Sequence, residues 1–163
     1  MTSEEKQSTE RSRRRATTDL KDALRELRVQ LSVLNHQVGV RADLRDVDLD
    51  CLDLISAEGP LAPSALARLA GVHPATLTGI LDRLERGGWI RRQRDEADRR
   101  SILVSIDPAR NAEMFRHYAP MNARMDAVCA EYDPAQLALV ADFLTRAADA
   151  GRSVTEQMVA AKD

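Results

Sequence analysis

The sequence predicts a mainly helical fold with long helices at both ends, a compact middle segment and one small β-hairpin. Three observations carry that expectation. Hydrophobic residues make up 44% of the 163 positions, yet only five are aromatic (Trp89, Phe115, Tyr118, Tyr132 and Phe143), so the core draws on Leu, Ala, Val and Ile, a mixture that favours helix over sheet. Apolar residues recur at helical spacing near both termini. Between them, two short apolar runs flank a polar loop, the pattern of a hairpin.

The same composition excludes several classes. No apolar run approaches the roughly 20 residues that span a bilayer, and the N-terminal stretch is polar where a secretion signal carries an apolar core, so a cytoplasmic protein with no membrane partner is expected. Cys51 and Cys129, 78 positions apart, form neither a disulfide framework nor a metal-ligand spacing. The three histidines are scattered, no nucleophile has a base at motif spacing, and no glycine-rich phosphate loop occurs. Hence no catalytic residue, metal or cofactor is expected, and the chain does not read as an enzyme. Its formal charge of −2 hides an uneven distribution: residues 61–106 carry 8 basic and 5 acidic groups, whereas the flanks are −2 and −3. Seven arginines lie between Arg83 and Arg100, and arginine suits bidentate recognition of phosphates and guanine edges.

Element by element, residues 1–16 are rich in Ser, Thr, Glu and Arg without apolar periodicity and are expected to form a flexible tail. Leu20, Leu24, Leu27, Leu31, Leu34 and Val38 then follow alternating spacings of four and three, an a/d stripe on a long helix expected to stop near Gly39. A second such stripe runs through Met114, Tyr118, Met121, Met125, Val128 and Tyr132, with Pro120 expected to kink or divide its helix. A third helix begins at the cap Asp133-Pro134 and carries Leu137, Val140, Ala141, Leu144 and Ala148, with Gly151 expected to interrupt or bend it. Narrow apolar seams on helices that flank a separate small domain mark a dimerisation bundle, so residues 17–46 and 107–163 are assigned to a homodimer interface and residues 47–106 to the domain between.

That middle segment reads as helix, helix, turn, helix and hairpin. Counting Pro63 as position 1, the turn wants a small residue at 5 and glycine at 9, and Ala67 and Gly71 stand there. Apolar residues are wanted at 4, 8, 10, 15 and 18, and Leu66, Ala70, Val72, Leu77 and Ile80 occupy them. All seven positions fit. Two strands follow, Trp89 to Arg94 and Ile102 to Ile106, the second expected to turn Ile102, Val104 and Ile106 inward. The whole is a winged helix-turn-helix, mainly α with a small β component (α+β). In such a unit the second helix lies in the DNA major groove with its N-terminal residues at the base edges, which places Pro74, Ala75, Thr76 and Thr78 there. The loop residues Arg99 and Arg100 can reach a minor groove, with Asp98 bracing a guanidinium or closing the turn by an internal salt bridge. Ser64, Arg83 and Arg94 are candidate phosphate contacts, with Arg83 and Arg86 also placed to pair with Asp82 and Glu85.

Residues 59–106, with L-x-R-L-E-x-x-G-W-I followed by D-x-x-D-R-R, resemble the MarR family of bacterial transcription regulators. That resemblance implies a winged-helix homodimer, triangular in outline, binding double-stranded DNA at a pseudo-palindromic operator, usually as a repressor, and released by a small ligand or by cysteine oxidation. It gives Arg100 the minor-groove role and Asp98 the bracing role, and puts recognition-helix contacts on Pro74, Ala75, Thr76 and Thr78. The chain departs from the family in carrying Gly79 where many members have arginine, Asp48-Leu49-Asp50-Cys51 in place of a Thr-rich helix start, and Ile106-Asp107 in place of a closing Leu-Thr. Family effectors are often aromatic acids, for which His36, Arg41, Arg45, His117 and Tyr118 are the candidate polar groups, while the scarcity of aromatics speaks against a stacking pocket. Both cysteines read as small packed residues. A winged helix that binds protein instead of DNA is the alternative reading.

Overall fold

A computed structural model describes residues 3–95 and 101–160. Among them the order is α1 (Ser3–Ala42), α2 (Asp46–Glu58), α3 (Pro63–Ala70), α4 (Pro74–Arg86), β1 (Ile90–Arg94), β2 (Ile102–Ile106), α5 (Pro108–Cys129) and α6 (Pro134–Ala160). The chain divides into two units, α1 with its closing turn up to Leu44, and everything from Arg45 onward.

In the first unit α1 extends further than expected at both ends. The stretch 1–16, expected as a flexible tail, is helical from Ser3. Its Glu, Gln, Arg and Lys residues are good helix formers, and a pair one turn apart, Glu10 with Arg14 at 3.2 Å, supports an exposed helix that no apolar stripe reveals. At the other end Gly39 does not stop the helix. Asp43 does: it adopts the left-handed conformation (φ 55°), and the Leu44 N–H donates to the Gly39 carbonyl at 2.9 Å.

The second unit holds the core. Leu49, Cys51, Leu52 and Ile55 of α2, Leu66 and Ala67 of α3, Leu77, Ile80, Leu81 and Leu84 of α4, and Trp89, Ile90 and Val104 are all buried. Two turns set the geometry. After α3, Gly71 takes φ 65° while its N–H and that of Val72 donate to Arg68 and Ala67, so the chain reverses tightly into α4 as position 9 of the motif requires. After α4, Gly88 (φ 72°) does the same, with the Trp89 N–H returning to Leu84.

β1 and β2 pair antiparallel from Ile90 with Ile106 to Arg94 with Ile102, and the Asp95 N–H closes the ladder on Ser101 at 3.0 Å. Leu61 adds a bridge on the other side of Val104. Of the three β2 residues expected inward, Val104 is fully buried and Ile106 partly so, but Ile102 is exposed. It pairs with Arg94 at the distal end of the hairpin, where the core no longer underlies the sheet. α5 runs uninterrupted through Pro120, and α6 likewise through Gly151, so neither residue divides its helix. The α6 start is as expected: the Asp133 carboxylate accepts from the N–H groups of Ala135 and Gln136, and the Gln136 side chain accepts from the Asp133 N–H.

Candidate nucleic-acid interface

α4 presents two faces of opposite character. Leu77, Ile80, Leu81 and Leu84 anchor one face in the core, which leaves His73, Pro74, Ala75, Thr76, Thr78 and Gly79 exposed along the first two turns. The His73 ring nitrogen Nδ1 accepts from the Ala75 N–H at 3.3 Å and Pro74 occupies the first helical position, so this start is capped without a carboxylate that would repel phosphate. Thr78 donates its hydroxyl to the Pro74 carbonyl at 3.1 Å, holding its methyl group outward. Thr76 is exposed on the same turn.

The arginines divide in a way the sequence does not reveal. Arg83, expected as a phosphate contact, instead donates from Nε and Nη2 to Asp48 Oδ2 and Oδ1 at 2.9 and 2.5 Å. Asp48 is completely buried, so this bidentate pair ties the last turn of α4 to the first turn of α2. The fully desolvated carboxylate is what draws the guanidinium inward, and the Arg83 pKa is raised, first by that hydrogen bond. The Asp48 carboxylate also accepts from the Arg45 N–H at 3.0 Å, closing the start of α2. Asp82 and Glu85, expected as partners of Arg83 and Arg86, are both taken by Arg92, at 2.6 and 3.3 Å, which fixes β1 against α4. Arg91 donates to Asp107 at 2.5 Å, and Asp107 also caps α5 by accepting from the Ala109 N–H; the Arg91 bond, followed by the cap, holds its carboxyl below the usual range. Arg86 donates only to a backbone carbonyl, and Arg94, the last residue of β1, is exposed. Ser64 is exposed in the first turn of α3. Asp98, Arg99 and Arg100 lie outside the described residues, in the connection whose ends are Asp95 and Ser101.

A cavity of about 260 Å³ lies within this unit, bounded by Leu52, Asp53 and Ser56 of α2, Trp89 and Ile106 at the base of the hairpin, and Asn111, Met114, Phe115, Tyr118 and Asn122 of α5. Of the polar groups expected for an effector site only Tyr118 lines it; Arg45 and His117 do not, and His36 and Arg41 belong to the other unit. The expectation of no aromatic pocket is also corrected, because three of the five aromatics gather here. A signal for this existed in the spacing: Asn111, Phe115, Tyr118 and Asn122 stand four, three and four apart, one face of α5. As for redox chemistry, burial first, and then Asp48 and Asp50, push the Cys51 thiol up to about 11, so it stays protonated and unreactive at neutral pH.

The MarR family matches residues 44–102, the segment that contains α2 through the start of β2. An uncharacterized HTH-type transcriptional regulator of Bacillus subtilis, YcgE, is 29% identical over 119 residues, covering 72% of this chain and 77% of that protein. The HTH-type transcriptional repressor YetL of the same organism is 28% identical over 90 residues, 53% of this chain and 54% of its own. Among solved structures, the transcriptional regulator Tm0710 of Thermotoga maritima superposes with a TM-score of 0.60 at 25% identity, over 82% of this chain and 94% of that one. The turn built on Gly71, the exposed start of α4, the two-stranded wing and these likenesses agree, and residues 44–102 form a MarR family domain.

Proposed function

We propose that the chain is a cytoplasmic, homodimeric DNA-binding repressor that occupies a pseudo-palindromic operator and is released by a small ligand. The observation that carries the DNA reading is the exposed first two turns of α4, on a helix anchored by its buried face and, in its last turn, by the Arg83–Asp48 pair. In this reading Pro74, Ala75, Thr76 and Thr78 meet base edges in the major groove, and the small side chains of Ala75 and Gly79 let the helix sit deep. Ser64 and Arg94 contact phosphates, and the wing residues Arg99 and Arg100, braced by Asp98, enter the adjacent minor groove. Arg83 is not among the contacts, since Asp48 holds it.

Support for the dimer comes from exposed apolar residues on the long helices: Leu20, Leu27 and Leu31 of α1, and Leu139, Leu144, Val154 and Met158 of α6. A second copy would cover such seams, so that two recognition helices address two half-sites. Support for a ligand response comes from the aromatic-lined cavity, and the repressor sense accords with the name of YetL.

Selection of genomic fragments by the purified protein tests DNA binding and identifies the operator. On that operator, Arg100→Ala should weaken binding at least tenfold, as loss of a minor-groove arginine does, while light scattering still reports a dimer. Wild-type affinity in the variant sinks the wing assignment. A flat dependence of affinity on salt would count against phosphate-dominated binding.

A further inference from the structure

We propose that the cavity between α2 and α5 takes an organic cation bearing a flat ring, an aromatic ammonium or amidinium, and discriminates against aromatic carboxylates. This names the ligand class of the response proposed above and rests on that reading only for its consequence at the operator. The residues that line the cavity include no arginine, lysine or histidine, and their one acidic side chain is Asp53. Asp50, three positions earlier on α2, reinforces it: burial first, and then Asp50, push the Asp53 carboxyl up, and burial followed by Asp53 and Asp50 pushes the Tyr118 hydroxyl up. Both groups sense negative potential in partly desolvated space. A carboxylate entering there would add a third negative charge, whereas a cation would relieve the repulsion between the two already present.

The walls suit the rest of such a molecule. Phe115 and Tyr118 put two aromatic rings in the lining, a surface that attracts cations, and Leu52, Met114 and Ile106 complete its apolar part. Side-chain oxygens of Ser56, Asn111 and Asn122 can accept N–H bonds. Trp89 shows the same preference within the protein, because the Arg110 guanidinium lies 4.1 Å above its ring centroid. That cation is ion-paired with Glu113 and so does not offset the charge of Asp53. The volume, about 260 Å³, admits one ring with a short substituent.

Three nearly isosteric probes separate charge from shape: benzamidine, benzamide and benzoate. Trp89 is the sole tryptophan and lines the cavity, so its fluorescence reports occupancy in the full chain without reference to DNA. Benzamidine should saturate at concentrations roughly tenfold below benzoate, with benzamide between them, the order set by one partly exposed carboxylate. In Asp53→Asn, which removes the repulsion with Asp50 and so should not lower the melting temperature, that preference should shrink to about twofold. In Phe115→Ala all three probes should weaken together with their order preserved. Benzoate binding as well as benzamidine, a preference that survives Asp53→Asn, or no response to any probe overturns the proposal. If benzamidine binds as described yet leaves the operator complex intact in anisotropy, the ligand class stands and release from DNA falls.

Discussion

The winged segment and the long helices use the same apolar residue types and dispose of them in opposite ways. Leu66 and Leu84 are 0% exposed, whereas Leu139 and Met158 of α6 are 70% and 65% exposed. The winged segment has three helices, a strand pair and three glycines at positive φ to enclose its leucines. Among the described residues α6 buries no side chain. Apolar side chains left in water at helical spacing are what the proposed dimer would cover.

The sharpest way to break this contrast is to truncate one leucine on each side. Leu84→Ala removes a fully buried side chain from α4 and should cost about 3 kcal/mol in chemical denaturation, a large share of the stability of a domain this size. Leu139→Ala should leave the winged segment within about 0.5 kcal/mol of wild type but raise the dimer dissociation constant in sedimentation. Equal costs at the two sites would mean that α6 is enclosed within one chain after all.

Next in size is the ion pair inside the winged segment. Asp48→Asn leaves the Arg83 guanidinium facing a neutral amide, and because that side chain keeps 29% of its surface in solvent the loss should be near 2 kcal/mol, below the range for fully buried pairs. Operator affinity should fall beyond what instability explains, since the pair sets the pitch of α4. Replacing both partners by leucine should recover stability but not affinity; recovery of both would make the pair a packing feature only.

A pH titration tests the third internal link. The Asp107 carboxyl is lowered from 3.8 in the folded chain, so its bond to Arg91 contributes stability that is present above the unfolded value and is lost as pH falls through the lowered one. Asp107→Asn should therefore lower stability across the neutral region and, with that contribution already gone, flatten the acid limb of the stability curve below about pH 3.8. An unchanged acid limb would place the acid sensitivity elsewhere.

What the sequence reveals follows from the range of the interactions. The helix-turn-helix was legible because its constraints are local: a small residue, a glycine and five apolar residues within 18 positions, all decided by how two adjacent helices cross. The paired fates of Arg83, Arg91 and Arg92 were not, because their partners lie up to 35 positions away and depend on which carboxylate the fold happens to bury. The N-terminal turns of α1 are not legible either, because exposed helix carries no apolar period. The cavity is not legible from composition, because a count of five aromatics in 163 residues does not show that three of them converge on one place.

The smallest effect is the most discriminating, because it sets the two faces of α4 against each other. Gly79 lies in the middle of α4, exposed, and a Cβ placed there meets nothing within 4 Å. Glycine in a helix interior is less favourable than alanine by roughly 0.5–1 kcal/mol, so Gly79→Ala should raise thermal stability slightly, and retaining glycine has no explanation in the folded chain alone. If α4 sits in the major groove as proposed, the added methyl group meets DNA, and operator affinity should fall while stability rises. Gly79→Arg, which restores the residue many family members carry, should instead steepen the salt dependence by about one unit through an added phosphate contact. A Gly79→Ala protein that is both more stable and equally tight on its operator would show that this face of α4 stands clear of the bases, and would move the reading of sequence from the recognition helix to the wing.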